Sequence, residues 1–207
     1  MKTLMRLLRG DQGATAAEFA LVLPLLLILI FGIIDGGRFL WEFTEAQKAT
    51  QMGVRYAVVT DPVASGLSSY SFAITDGITQ GNAVPTANFD SATCGSTGTC
   101  ACVGGGICDS IGRDGTEFQG IVDRMAAIYP SISANNVQVI YKNVGLGFAG
   151  NPDGPDVSAL VTVRLTGLNF YPITCLVFPC SIAMPDFAAS LTLEDASNNG
   201  EDPPIAN

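Results

Sequence analysis

The sequence contains no histidine among its 207 residues and few charged side chains. The absence of histidine excludes Ser-His-Asp triads and every metal site that needs an imidazole ligand. Only 14% of the residues are charged, and 19 acids against 10 basic residues give a net charge of −9. Because nucleic-acid binding depends on clustered Lys and Arg, this balance argues against a nucleic-acid partner.

One stretch near the N-terminus is almost free of charge. Residues 19–34 are nearly all Leu, Ile, Val and Phe, and extending the run back to Ala14 adds only Thr15 and Glu18 as polar side chains. A helix of about 20 residues is long enough to cross a hydrocarbon core of about 30 Å. We therefore predict a transmembrane helix over residues 14–35.

The charges on either side of this helix predict its orientation. Lys2, Arg6 and Arg9 precede Gly13, whereas the rest of the chain is acidic. The positive-inside rule places a basic leader in the cytoplasm. We expect a single-pass protein of the inner (cytoplasmic) membrane with a periplasmic, or otherwise extracytoplasmic, C-terminal domain. A cleaved secretory signal is the alternative, but residues 35–41 match an A-x-A cleavage site poorly.

The sequence beyond the membrane helix predicts an α+β fold. Helical spacing continues to Ala57, which indicates that the helix extends outward. Residues 61–116 are rich in Gly, Ser, Thr, Asn and Asp and predict loops, and Glu117–Tyr129 predicts a short amphipathic helix. Alternating apolar and polar residues predict the strands of an antiparallel sheet, at Val137–Lys142, Asp156–Thr166 and Phe187–Glu194.

These patterns divide the chain into five segments. A polar, acidic and Pro-containing composition predicts that the C-terminal end is disordered. The segments are a basic cytoplasmic leader (1–13), a transmembrane helix (14–35), a helix extension (36–58), an extracytoplasmic α+β domain with a disulfide-rich loop (59–195) and a disordered tail (196–207).

Four features of residues 9–43 occur together. They are a basic leader ending at Gly13, the A-x-x-x-E-F stretch from Ala14 to Phe19, a Pro-containing apolar helix, and the acid-G-x-R-F pattern from Asp35 to Phe39. In these features the chain resembles TadE-like proteins, the minor pilins (pseudopilins) of the tight-adherence, or Flp, type IVb pilus system. The resemblance implies a pilin-like fold, a role in pilus assembly and cell adhesion, and three partners besides the membrane: a prepilin peptidase, other pilin subunits and the pilus assembly machinery.

The resemblance also implies roles for individual residues. A prepilin peptidase would cut between Gly13 and Ala14 and leave the apolar helix on the mature protein. Glu18 and Phe19 would then act in subunit assembly, with Glu18 paired to the new α-amino group of a neighbouring subunit. An ammonium and a carboxylate that are each costly in lipid can neutralise one another.

All six cysteines lie beyond the membrane segment, at Cys94, Cys100, Cys102, Cys108, Cys175 and Cys180. An even number in an exported domain predicts disulfides, and six cysteines allow about 15 connectivities. We favour Cys175–Cys180 as one bridge because it closes a small loop, with two more bridges among the other four. A four-cysteine metal site is the alternative, although the spacing differs from the usual zinc patterns.

One glycine motif and its neighbouring acids fit either a binding site or a plain turn. Residues 145–150 spell G-x-G-x-x-G, but Asn-Pro-Asp-Gly-Pro follows and prevents the helix that dinucleotide binding requires. We therefore predict a turn. Asp153 and Asp156 could bind Ca²⁺ there, although a solvated turn is the simpler interpretation.

We predict no enzyme, no catalytic residue and no cofactor. Two alternatives to a pilin-like subunit stay open. The first is an uncleaved, membrane-anchored extracytoplasmic binding protein, which would keep its leader. The second is an exported, disulfide-rich enzyme of unknown type whose acids converge on one site, with Asp109, Asp114, Glu117 and Asp123 as the candidates.

Overall fold

The computed structural model describes residues 12–152, 154–176 and 180–193, with side chains in the first helix from Ala16 onward. Helix α1 spans Gln12–Ala57, α2 Phe72–Thr75 and α3 Gly115–Ala126. The strands are β1 (Ala64–Ser65), β2 (Phe89–Cys94), β3 (Ala101–Gly104), β4 (Gly112–Arg113), β5 (Val137–Lys142), β6 (Leu160–Leu165), β7 (Asn169–Phe170), β8 (Ile182–Ala183) and β9 (Phe187–Thr192). The predicted α+β class, a long apolar helix followed by a small antiparallel sheet, is confirmed.

The chain forms two compact units. The first contains α1 up to Glu42 together with Asn169–Ala183, and the second contains Phe43–Leu168 together with β9. The predicted leader up to Asp11, the predicted tail and Asp153 lie outside the described residues.

The core of the second unit is an antiparallel sheet in the order β3-β2-β5-β6-β9. Along β5 and β6, Val139 pairs with Val163 and Tyr141 with Val161, and all four side chains are buried on one face. Strand β6 begins at Leu160 rather than at the predicted Asp156. The reason is a set of hydrogen bonds that hold the preceding residues in a loop, described below.

The outer part of α1, which begins at Phe43, buries small side chains in this unit. Ala46, Ala49 and Ala57 are at most 1% exposed. A Cβ added to Gly53 would lie 2.7 Å from the sulfur of Met125 on α3 and 3.4 Å from Cγ1 of Val163 on β6. These positions of α1 therefore face the core, and their small residues permit close approach of helix and sheet.

The segment predicted as loops contains four strands, β1 to β4, and the short helix α2. Strands β1 and β4 pair with each other. Strand β2 pairs antiparallel with β3 on one side and with β5 on the other. The sequence of β2 is Phe-Asp-Ser-Ala-Thr-Cys, whose small polar residues give little of the apolar alternation that indicates a strand. Helix α3 also begins earlier than predicted, because the Asp114 carboxylate accepts hydrogen bonds from the amides of Thr116 and Glu117.

Candidate functional site

The inner part of α1 presents apolar side chains on every face. All side chains of residues 16–34 are exposed, and Glu18 is the one charged residue among them. The most apolar window has a mean hydropathy of 2.7 and none of it is buried. Within the described residues this is one helix long and apolar enough, by length and composition, to cross a membrane. A surface this large and apolar requires a cover.

The residues predicted for processing and assembly lie at the start of this helix. The Gly13–Ala14 bond is in the first turn of α1. Glu18 is exposed, and Phe19 is 64% exposed. Positions four residues apart share a helix face, so Glu18 lies on the face of Ala14 and its side chain leans toward that end. Glu18 takes part in none of the salt bridges found among the described residues.

Asp35 ends the apolar run and is only 7% exposed. Its carboxylate accepts hydrogen bonds from the amides of Ile173 and Thr174 at 2.7 and 2.9 Å, and from the Thr174 hydroxyl at 2.9 Å. These amides open a short 3₁₀ turn, Ile173–Leu176, and the first amides of such a turn have no partner within it. Asp35 therefore caps a turn that lies more than 130 residues later in the sequence.

The capped turn belongs to a segment that we call the hairpin, residues 169–176 and 180–183. Strands β7 and β8 pair at its base, and the Cys175–Cys180 disulfide closes it. The ring of Phe170 contacts that of Phe39 edge to face, with centroids 5.4 Å apart.

Arg38 completes the contact between α1 and the hairpin. Its guanidinium lies 5.4 Å from the centre of the Phe170 ring. The same group lies 3.6 Å from the Asp35 carboxylate and 3.5 Å from that of Glu42. The acid-G-x-R-F pattern of α1 therefore binds and stabilises the hairpin, a role that was not predicted from the sequence. The signal was an acid placed directly after an apolar run.

The structure contains disulfide bonds, as the even number of cysteines predicts. The pairs are Cys94–Cys100, Cys102–Cys108 and Cys175–Cys180. The first closes the turn between β2 and β3, and the second ties β3 to a 3₁₀ turn at Gly106–Asp109. Sulfurs in disulfides are not available as thiolate ligands, so the alternative of a four-cysteine metal site is wrong for this structure.

The glycine motif forms turns around a buried acid. Gly145, Gly147 and Gly150 have φ of 79°, 88° and 75°. Asp156 is 5% exposed, and its two carboxylate oxygens accept hydrogen bonds from the amides of Phe72, Gly150 and Asn151. This carboxylate thus fixes the loop before β6.

A polar cleft of about 320 Å³ lies beside this loop, lined in part by Ser68–Ser71 and Gln80. The Tyr70 hydroxyl donates to Asp76 at 2.8 Å. Burial, reinforced by the Asp76 carboxylate, raises the pKa of Tyr70 above its usual value. Tyr70 therefore stays protonated at neutral pH and acts here as a hydrogen-bond donor.

The acids proposed for an alternative enzyme have other local contacts. Asp114 caps α3, and Asp123 accepts a hydrogen bond from Gln119 one turn before it on the same helix. Asp109 is exposed in a 3₁₀ turn. Within the described residues, no group of three or more Cys, Asp or Glu is arranged to hold a metal ion.

The fold and these surfaces define a class of protein: a disulfide-bonded α+β domain that carries a candidate membrane-spanning helix. Residues 13–55 match the model of the TadE-like protein family. The predicted resemblance is therefore confirmed over the segment that holds Gly13, the apolar helix and the acid-G-x-R-F pattern, and it relates the chain to pilus assembly. The β-sheet lies outside the match. No curated protein and no solved structure matches the chain.

Proposed function

We propose that this chain is a non-enzymatic, minor pilin-like subunit for assembly of a tight-adherence (Flp, type IVb) pilus. It inserts into the inner membrane through the inner part of α1, with its N-terminus in the cytoplasm and its disulfide-bonded domain outside. A prepilin peptidase removes the leader after Gly13. The observation that carries the proposal is the exposed apolar inner part of α1, in which Glu18 is the one charged residue. This part lies within a TadE-like match that begins at Gly13.

The helix has the properties needed for both lipid contact and subunit contact. Its exposed aliphatic side chains suit hydrocarbon or the helices of other subunits. Glu18 is the exception, because a carboxylate in a bilayer requires a partner. Cleavage after Gly13 creates an ammonium group at Ala14, on the same face of the helix as Glu18. Pairing between Glu18 of one subunit and this group of a neighbour would bring apolar helices together in register.

Processing is tested by intact mass and N-terminal sequencing of the protein from native membranes, with the prepilin peptidase present and absent. We expect a peptidase-dependent N-terminus at Ala14. Gly13→Leu should abolish cleavage, whereas Gly10→Leu, a matched change at another leader glycine, should leave it intact. An intact leader in both membranes would contradict the pilin-like function and favour a plain anchored binding protein.

Assembly is tested through Glu18 in the processed protein. Two differently tagged copies are crosslinked in membranes and isolated together. Glu18→Gln removes the charge but keeps the size, so we expect normal cleavage and a large loss of co-isolation. Asp123→Asn is the control, because it makes the same change at an exposed acid of α3. An equal yield from both variants would contradict the role of Glu18.

A further inference from the structure

The hairpin belongs to a second long stretch without charge. No charged residue occurs from Leu165 to Pro185, and Arg164 and Asp186 flank this stretch. In the hairpin, Tyr171 is 66% exposed and Ile182 47% exposed. On α1, in the same unit, Leu40 and Trp41 are 64% and 67% exposed. Large apolar side chains are thus exposed on both segments, outside the apolar run of α1.

The contacts of the hairpin give its direction along α1. Phe170, at the base, contacts Phe39. Ile173 and Thr174, nearer the disulfide, bind Asp35, one helical turn or about 6 Å closer to the apolar run. The hairpin therefore extends from its base toward the apolar part of the helix, and its disulfide-closed end lies beyond the level of Phe39.

The charges at this level are arranged to tolerate an apolar environment. The Asp35 carboxylate is covered and accepts three hydrogen bonds from the hairpin. Arg38 contacts both Asp35 and Glu42, so its charge is paired with acids on α1. Tyr and Trp are enriched where a membrane meets water, because their rings are apolar and their tips are polar.

We propose that the hairpin is a second lipid contact, beside the membrane-spanning helix. Tyr171 and Ile182, together with Leu40 and Trp41 of α1, lie in the outer boundary between headgroups and acyl chains. A lipid surface fits better than a protein because the hairpin extends from Phe39 toward the apolar part of the helix and has no charged residue to orient a partner. The contact fixes the depth and rotation of α1. This inference rests on the membrane insertion proposed above.

The experiment measures the depth of single tryptophans in the full chain, reconstituted in phosphatidylcholine–phosphatidylglycerol vesicles. The acyl chains carry bromine, a fluorescence quencher, either near the headgroups or near the bilayer centre. Trp41 is the sole tryptophan, so the unaltered protein is measured first. Tyr171→Trp in a Trp41→Phe background then reports on the hairpin. Leu27→Trp and Ile74→Trp in the same background serve as controls for the helix and for an exposed site of the second unit.

We expect shallow bromine to quench two tryptophans about twofold more than deep bromine does. They are Trp41 in the unaltered protein and the new tryptophan of the Tyr171→Trp variant. This order suits a depth of about 5–10 Å. The Leu27→Trp variant should show the reverse order. The Ile74→Trp variant should respond to aqueous acrylamide and to neither lipid. Mass spectrometry of the intact disulfides checks that the hairpin is closed in each variant.

Three outcomes would overturn the proposal, and they differ from one another. In the first outcome, bromine quenches the Leu27→Trp variant but quenches neither Trp41 nor the Tyr171→Trp variant. This result would contradict the hairpin contact and leave membrane insertion intact. Quenching in none of them would contradict insertion itself. Protection of the hairpin from acrylamide without quenching by bromine, growing with protein density, would show that a second copy covers it instead of lipid.

Discussion

The inner and outer parts of α1 belong to one helix but meet different surroundings. Between residues 16 and 34 every side chain is exposed, and large aliphatic residues such as Leu21 and Leu25 are 77% and 71% exposed. Beyond Phe43 most buried positions of α1 are small: Ala46 and Ala49 are fully buried, and the largest buried side chain is that of Val54. Lipid chains adapt to large side chains, whereas a folded sheet is close-packed and accepts only side chains that fit. Side-chain size thus distinguishes the inner part, a candidate for lipid contact, from the outer part, which packs against a folded sheet.

The largest expected effect comes from a charge placed in the outer part. Ala49→Asp buries a carboxylate without a partner and should lower the free energy of unfolding by about 4 kcal/mol. Thermal unfolding in detergent, followed by circular dichroism, measures the loss. Gln51→Asp, at an exposed position two residues later, should leave the transition within about 0.5 kcal/mol. An unchanged transition for Ala49→Asp would show that the outer part of α1 is not packed in solution.

The same charge in the inner part should affect insertion and spare the fold. Leu27→Asp places a carboxylate near the middle of the apolar run, at a cost of about 2.5–3.5 kcal/mol in a bilayer. We expect a reduced membrane-inserted fraction after carbonate extraction, with unchanged thermal unfolding in detergent. Gln47→Asp, exposed on the outer part, should insert normally. If Leu27→Asp inserts equally well, the inner part is not the membrane span.

Asp35, where the inner part ends, should control the local stability of the hairpin. Asp35→Ala removes the charged acceptor of two backbone amides, and hydrogen bonds to charged groups are worth about 1.5–3 kcal/mol. The amides of Ile173 and Thr174 should therefore exchange about 10- to 100-fold faster, as measured by hydrogen exchange. Asp186→Ala removes an exposed acid paired with Arg164 and should not change this exchange. Equal protection in both variants would contradict the capping role.

The smallest effect comes from a pair of glycines in α1, Gly53 in the outer part and Gly36 just after the inner part. Gly53→Ala should cost about 1 kcal/mol, because the new methyl group meets Met125 and overpacking outweighs the gain in helix propensity. Gly36→Ala meets no atom within 4 Å, so chemical denaturation should show no loss of stability. A loss at Gly36 equal to that at Gly53 would show that the close approach at Gly53 is not the cause.

The sequence predicted those elements whose signal is local. Hydropathy was sufficient for the inner part of α1, and helical spacing for its outer part. The alternation in β5 and β9 predicted their starts at Val137 and Phe187. Strand β2 was missed because its pairing with β3 and β5 is not encoded in its own composition. The first four residues of the predicted Asp156–Thr166 strand form a loop, because Asp156 binds amides from Phe72 and from the glycine turn.

By itself the sequence determined the apolar helix, the α+β class, the disulfide-bonded nature of the domain and the resemblance to TadE-like proteins, because each depends on composition or on spacing along the chain. Only the tertiary structure decided what Asp35, Arg38 and Phe39 do. Their partners in the hairpin lie more than 130 residues later, and no local pattern connects the two segments. The connection arises when the carboxylate at the end of an apolar helix meets two amides that no other group in their own turn can bind.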